Sequence, residues 1–566
     1  MDGSSLQRVP VGPGTERWRT FDSQRTVVVA ARTVTSTVRM LEVLPQLLRG
    51  DERVCVVFAY DPTSAFSGGV LDLLNSSGCQ VMPWEQLAEV PADLILSASE
   101  NIDPPGGDCP VLVLPHGIGF HKQVPDSRGE GTRLSGLVPD RLLKRALLAV
   151  SHPDQAAQLA AWYPQTAGST VMVGDPCYDR LLVSTPQRDV YRRALGVGAD
   201  CRLVVVSSTW GPTSLIARDP GLLSRLLSQL PLDEYRLAAV LHPNVWSAHG
   251  AWQIRVLLAA ALEAGLVLVP PTRGWQGAVV AADAIVGDHG SVTLYGAALD
   301  RPVLLGAYGA DAVPGTAVAE LGCRAPRLDG GRPVRAQVED LIDTHQPGRW
   351  SDLAEQTFAA PGEAAVRLRR LVYELIGLAE PVPGPSVPAF PPPLTRCAQV
   401  TSTVVSLRQA TPGEAWQLRM ERYPGPVAAL GEEASGEMRY LACDTGEPDP
   451  KRLLNASVLV VSQAQPGPAA AVAAAEGALA RNPGCLLAAA AADDGRCVVV
   501  LRHGPVLAVG PTGDVTLAAA AAYACLRRQV RLDTAVQLSI SLGAGPAHPL
   551  SLLPLPAGTC EASQFS

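Results

Sequence analysis

The feature that most constrains what this chain folds into is the stretch 283–305, DAIVGDHGSVTLYGAALDRPVLL. Ala284, Ile285 and Val286 form a short apolar, β-prone run, and Gly287-Asp288-His289-Gly290 has turn chemistry. Ser291 stands where a helix cap belongs. A helix is expected over 292–299, stopped by Asp300-Arg301-Pro302 ahead of the apolar run Val303-Leu304-Leu305. A helix that opens on a Gly-Ser turn after a buried strand presents unpaired N–H groups and the positive end of its dipole, a seat for a phosphate. The spacing matches neither a P-loop nor the dinucleotide fingerprint.

Similar units precede it. Continuous apolar runs at 26–31, 54–59, 93–97 and 111–114 read as buried strands, with helices expected at 38–48 and 70–76 and a polar turn at 32–37. A second series has strands at 204–207, 237–241 and 267–269 and helices at 220–230, 251–264, 338–345 and 364–378. Strands that are apolar throughout and alternate with helices indicate parallel sheets covered on both faces. The fold class expected is α/β, with two doubly wound, Rossmann-like halves facing a cleft. Residues 1–24 read as a flexible arm, 25–168 and 169–380 as the two halves, and 381–396 (PVPGPSVPAFPPP and its flank) as an extended Pro-rich linker. Residues 397–566 read as an accessory α+β domain, with a hairpin at 497–509 and helices at 469–481 and 518–528.

The totals exclude several classes. Net charge is −8, only Lys122, Lys144 and Lys451 are lysines, and no basic block exists, so nucleic acid is not expected as a partner. The start of the chain lacks the apolar core of a signal peptide, and the alanine-rich stretches are too short to span a bilayer. A cytoplasmic location follows as the expectation. The 12 cysteines form no C-x-x-C pair, so neither a metal nor a disulfide framework is expected.

Four polar signals follow expected strands: His116-Gly117 through His121-Lys122, Ser208-Thr209-Trp210, His242-Pro243, and Asp288-His289-Gly290-Ser291. Open α/β sheets do their chemistry at that edge. In order and spacing, these signals resemble the CDP-glycerol glycerophosphotransferase (teichoic acid polymerase-like) family, over about 111–378. Its His-Gly loop ending in a basic residue is matched by His116-Gly117 and Lys122, and its Gly-x-Pro-x-x-Asp turn by Gly174 to Asp179. Its Pro-Thr-Trp is matched by Ser208-Thr209-Trp210 and its His-Pro by His242-Pro243, while its Asp-Tyr-Ser-Ser turn before a helix and its Lys-Pro-Val strand here read Asp288-His289-Gly290-Ser291 and Arg301-Pro302-Val303. More loosely, the chain resembles UDP-N-acetylglucosamine 2-epimerases.

The resemblance implies a GT-B fold and transfer of a glycerophosphate or glycosyl group from a nucleotide-diphosphate donor, CDP-glycerol or a UDP-sugar, to an acceptor hydroxyl. His116 would be the general base. His242 would face the donor diphosphate and, if protonated, offset leaving-group charge. Ser208, Thr209, Gly290, Ser291 and Thr293 would hold donor phosphates or ribose. Lys122 would add a cation at the cleft mouth, and Asp288 would shape the turn. No cofactor is required by this scheme, and no ligand cluster points to a divalent metal. The resemblance also implies a lipid-linked or polymer acceptor and peripheral work at the inner membrane face. The alternatives are a nucleotide-sugar 2-epimerase and an inactive GT-B scaffold or binding protein.

Overall fold

The computed structural model describes residues 6, 8–11, 20–125, 131–135, 138–395, 397–410, 416–431 and 438–556. Most of the expected arm, 1–24, lies outside them.

The first lobe is a seven-stranded parallel sheet. In chain order its strands are β1 (Arg25–Ala31), β2 (Val54–Tyr60), β3 (Val81–Pro83), β4 (Leu94–Ser97) and β5 (Val111–Val113). A small hairpin, β6 (Gln123–Pro125) with β7 (Thr132–Leu134), interrupts the series before β8 (Ala146–Val150) and β9 (Thr170–Met172). The spatial order is β3-β2-β1-β4-β5-β8-β9, so the winding reverses between β1 and β4. The second lobe contains β10 (Arg202–Ser208), β11 (Tyr235–Leu241), β12 (Val267–Leu268), β13 (Ala284–Gly287) and β14 (Val303–Leu305). They form one parallel sheet in the order β12-β11-β10-β13-β14, with its reversal between β10 and β13. Both sheets are apolar on both faces; Val27 to Ala31 and Val204 to Val206 are buried without a break. That is the burial a parallel sheet between helical layers requires.

Two segments that read as second-half sequence belong to the first lobe. β9 is the edge strand of its sheet. Helix Ala364–Leu375 returns to it and buries Leu368, Val372 and Tyr373 against the cluster around Val27 and Met40. The expected polar turn at 32–37 is shorter than read: Thr33 and Ser36 form a reciprocal cap, and the helix runs Val34–Leu47. The proline-rich segment is extended but not free. Phe390 is buried, its carbonyl accepts from Tyr191 at 2.6 Å, and Arg180 stacks on its ring at 3.9 Å.

The C-terminal region departs most from its reading. The region expected as an accessory α+β domain holds helices and strands, and its strands close into a nine-stranded barrel, which the sequence pattern does not announce. Its strands are β15 (Ser402–Gln409), β16 (Gln417–Pro424), β17 (Met438–Asp444), β18 (Val458–Gln465), β19 (Leu487–Ala492), β20 (Cys497–Leu501), β21 (Val506–Gly510), β22 (Val536–Leu542) and β23 (Ala547–Pro554). Helix Val515–Arg527 runs inside it. Every residue from Leu517 to Cys525 is buried, and all nine strands send alternate side chains to the cluster around this helix. A helix apolar on every side must be enclosed. Eight strands leave a space that side chains alone fill, so a nine-stranded barrel admits a helix only when it is thin, and Ala518 to Ala522 make it so. The barrel is fastened to the second lobe: Arg335 pairs with Glu234 and Glu421 at 3.0 Å each, and Arg422 pairs with Asp233.

Candidate active site

The two lobes enclose a cleft with a volume of about 320 Å³, lined from both sides. Residues just past β1, β4 and β5 form one wall, and residues past β10, β11 and β13 the other. These strands flank both points where the winding reverses, the place where open α/β sheets bind ligands.

His116 follows β5, and its Nδ1 lies 3.2 Å from the carbonyl oxygen of Ala98, just past β4. A carbonyl only accepts, so Nδ1 carries a proton, and in the neutral ring the lone pair is on Nε2. The residue is exposed. His242 sits across the cleft in the opposite state. The pairing of Ser208 with Leu241 puts Thr209 beside it, and the Asn244 N–H donates to its Nδ1 at 3.1 Å. Nδ1 therefore holds the lone pair and Nε2 the proton. Burial, followed by the neighbouring charges of His116 and Lys122, pushes the His242 pKa down to about 3. With that lowered pKa it stands as a neutral N–H donor, so the condition attached to its charge role, protonation, is disfavoured here.

The corner after β13 is largely occupied with itself. Asp288 is fully buried. Its Oδ2 accepts from the Thr209 N–H at 2.9 Å and the Leu215 N–H at 2.8 Å, and its Oδ1 accepts from the Gly290 N–H at 3.0 Å. The Gly290 N–H is thus already bonded, contrary to the expectation that it holds a phosphate. The Ser208 hydroxyl accepts from the Ile216 N–H at 3.1 Å and donates to the Thr209 carbonyl at 3.1 Å, so it binds the loop. Thr209 lines the cleft with its N–H committed to Asp288. Thr293 is fully buried and packs against Gly287, where a Cβ would come within 2.3 Å of its Oγ1. It does not reach the cleft. Ser208, Thr209, Gly290 and Ser291 all line the cleft; of these, Ser291 at the N-terminus of helix Ser291–Ala298 is the one whose backbone N–H is not taken up within the corner, with Val292 beside it.

Ser291 also ties the lobes together. Its Oγ accepts from the Ile118 N–H at 3.3 Å and lies 3.4 Å from His121 Nε2. Lys122 is not a loose cation at the mouth. It pairs with Asp311 at 3.2 Å, donates to the Trp210 carbonyl at 3.2 Å, and lies over the Trp210 ring. Around it the two lobes pair backbone to backbone: Gln123 N–H to the Asp311 carbonyl at 2.8 Å, and Val313 N–H to the His121 carbonyl at 2.9 Å. His289 is buried, bonded to Asp311 and Gly309, and serves this seam.

Sequence reasoning missed the polar groups of the first-lobe wall. Arg32 directly follows β1 and pairs with Asp61 at 3.1 Å. Glu100 follows β4 and pairs with Arg133 at 3.3 Å. Their positions just past strands were the available signal. Arg39 and Glu42, one turn apart on helix Val34–Leu47, also line the cleft. Arg39 reaches the Tyr295 hydroxyl at 3.2 Å and Asp175 at 3.6 Å. Burial raises the Glu42 pKa, against the opposing charges of Arg39 and Arg180. Among the described residues no cluster of His, Cys, Asp and Glu is arranged to hold a metal ion, and no helix is long and apolar enough to cross a membrane.

The two Rossmann-like lobes, the cleft between them and the helix that returns to the first lobe define a two-lobed protein of the GT-B type. No family model matches the chain, and no curated protein matches it in sequence. Solved structures with a similar fold include the wall teichoic acid polymerase TagF, at 13% identity over 62% of this chain and 89% of that one, TM-score 0.42. Another is a UDP-GlcNAc 2-epimerase from Neisseria meningitidis bound to UDP-GlcNAc, at 13% identity over 62% and 99%, TM-score 0.38. A glycosyltransferase from Rickettsia africae follows, at 12% identity over 62% and 98%, TM-score 0.35.

Proposed function

We propose that the cleft transfers a glycerophosphate or glycosyl group from a nucleotide-diphosphate donor to an acceptor hydroxyl. The observation that carries this reading is the opposite anchoring of two histidines on facing walls of one cleft: His116 Nδ1 meets the Ala98 carbonyl, which leaves Nε2 as the acceptor of the neutral ring, and His242 Nδ1 accepts from Asn244 N–H, which leaves Nε2 as an N–H donor. A base and a hydrogen-bond donor, each set by backbone contacts, are what displacement at a phosphoryl or glycosyl centre requires. For glycerophosphate transfer, His116 Nε2 takes the proton of the acceptor hydroxyl, and that oxygen forms the new bond to the β-phosphorus. The bond from that phosphorus to the bridging oxygen breaks. The nucleoside monophosphate leaves, its bridging oxygen held by His242 Nε2–H. The cleft-facing end of helix Ser291–Ala298 seats a phosphate oxygen.

The test is release of CMP from CDP-glycerol, or UDP from a UDP-sugar, with a polyol acceptor. His116→Ala is expected to lower turnover by about 10²–10⁴ with little change in donor affinity. Wild-type turnover in that variant excludes His116 as the base.

Nucleotide-sugar 2-epimerisation is kept as a second reading because Glu42 and Glu100 line the same cleft. Incubation with UDP-N-acetylglucosamine, followed by NMR for an epimer and free UDP, separates the two.

A further inference from the structure

A second cavity, of about 260 Å³, lies behind the His116 loop, between helix Pro153–Trp162 of the first lobe and helix Ala317–Arg324 of the second. Ile118, Gly119 and His121 wall both this cavity and the cleft, so one loop separates them. The lining is mixed, with Ile118, Leu294 and Ala319 beside polar groups. Gln155 accepts from the Ser151 N–H at 3.0 Å through Oε1, and Gln158 donates to the Gly315 carbonyl at 2.5 Å through Nε2. The other end of each amide, and both ends of Gln356, have no protein partner among the described residues. His121 is only 9% exposed, and its Nδ1 is buried without a partner. Asp154 and Glu320, both exposed, stand at the wall; Glu320 pairs with Arg324 at 3.9 Å, and no lysine or arginine among the described residues lines the cavity itself.

We propose that this cavity holds a neutral, polyhydroxylated unit of the acceptor, a sugar ring or polyol, next to the hydroxyl that is modified. The inference rests on the transfer reading, because the loop that forms its wall carries His116. Unmatched donors and unmatched acceptors side by side suit hydroxyl groups, each of which is both. With two carboxylates and no cation in the wall itself, the cavity disfavours an anion even though Glu320 pairs with Arg324 at 3.9 Å outside it, so the donor's phosphates belong in the other space. The volume falls just under the range of about 300–1,000 Å³ usual for small-molecule pockets, which fits one ring rather than a chain.

Cys323 lines the cavity and is exposed, which makes it a reporter. The full chain is alkylated with iodoacetamide and labelling at each cysteine is read by peptide mass spectrometry, with N-acetylglucosamine or glycerol as probe and inorganic phosphate as control. At a probe concentration of about ten times Kd, labelling of Cys323 is expected to slow about tenfold, with exposed Cys397 unchanged. Gln158→Leu with Gln356→Leu is expected to abolish the protection, as is Ala319→Phe, which fills the cavity. CDP binding to each variant, measured by calorimetry, verifies folding. No protection by either sugar or polyol, equal protection by phosphate, or protection that survives both variants overturns the proposal. Failure of CDP to bind the wild-type protein counts against the donor reading instead, and is visible separately.

Discussion

The turn after β5 and the turn after β13 look alike in sequence, each a glycine-containing polar loop at the end of a buried strand. Their structures differ in what the polar groups do. After β5, one backbone carbonyl anchors His116 and the rest of the ring is left to the cleft. After β13, Asp288 satisfies three backbone N–H groups, and His289 and Thr293 turn inward. The first loop offers chemistry. The second is a scaffold that holds a helix end in place. A buried carboxylate costs free energy unless its oxygens are fully bonded, so residues that resemble ligands are here consumed in holding their own turn.

Variants can break this contrast. The largest effect is expected at Asp288→Ala. Three buried donors lose their acceptor, at about 1–3 kcal/mol each, so the second lobe should lose at least about 3 kcal/mol and melt several degrees lower in calorimetry. An unchanged Tm would mean that the corner does not depend on Asp288. Gly287→Ala comes next. Its Cβ would meet buried Thr293 Oγ1 at 2.3 Å, and overpacking of this kind costs about 1–3 kcal/mol, read from denaturant midpoints.

A pH titration separates the histidines. Burial pushes His121 down to about 4 and His242 to about 3. Both stay neutral when folded, whereas the unfolded chain takes up their protons near pH 6.5. Stability present above pH 6.5 should therefore fall as pH drops toward 4. His121→Gln should flatten that slope; an equally steep slope would assign the loss elsewhere. The smallest effect is expected at Gly117→Ala. Its Cβ would come within 2.7 Å of Ser291 Oγ, and rotating that hydroxyl away gives up its 3.3 Å bond from the Ile118 N–H, so stability should change by about 1 kcal/mol. A large Tm loss there would show the first loop to be as rigid as the second.

The sequence made the lobes legible because their strands are unbroken apolar runs. Arg25–Ala31, Val54–Tyr60 and Ala284–Gly287 stand within a residue of their expected limits. In the barrel the hairpin at 497–509 and the helices at 469–481 and 518–528 were legible, but its closure was illegible for the opposite reason. In β19, LAAAAA, Leu487 and Ala489 face the inner helix while Ala488 and Ala490 face helix Pro468–Arg481 outside. Such a strand needs small side chains on both faces, and alanine gives no β signal. His116 and His242 could be picked from their positions past strands. That His242 is neutral, and that Gly290 and Ser208 are internally bonded, depends on contacts with residues distant in sequence, which no local pattern records.

The most direct test of the central claim is calorimetric titration of CDP and UDP into the wild-type protein and into His116→Ala. A donor cleft with a separate base predicts one-to-one binding of at least one nucleotide to both proteins with the same Kd. No heat from either nucleotide in the wild-type protein would contradict it.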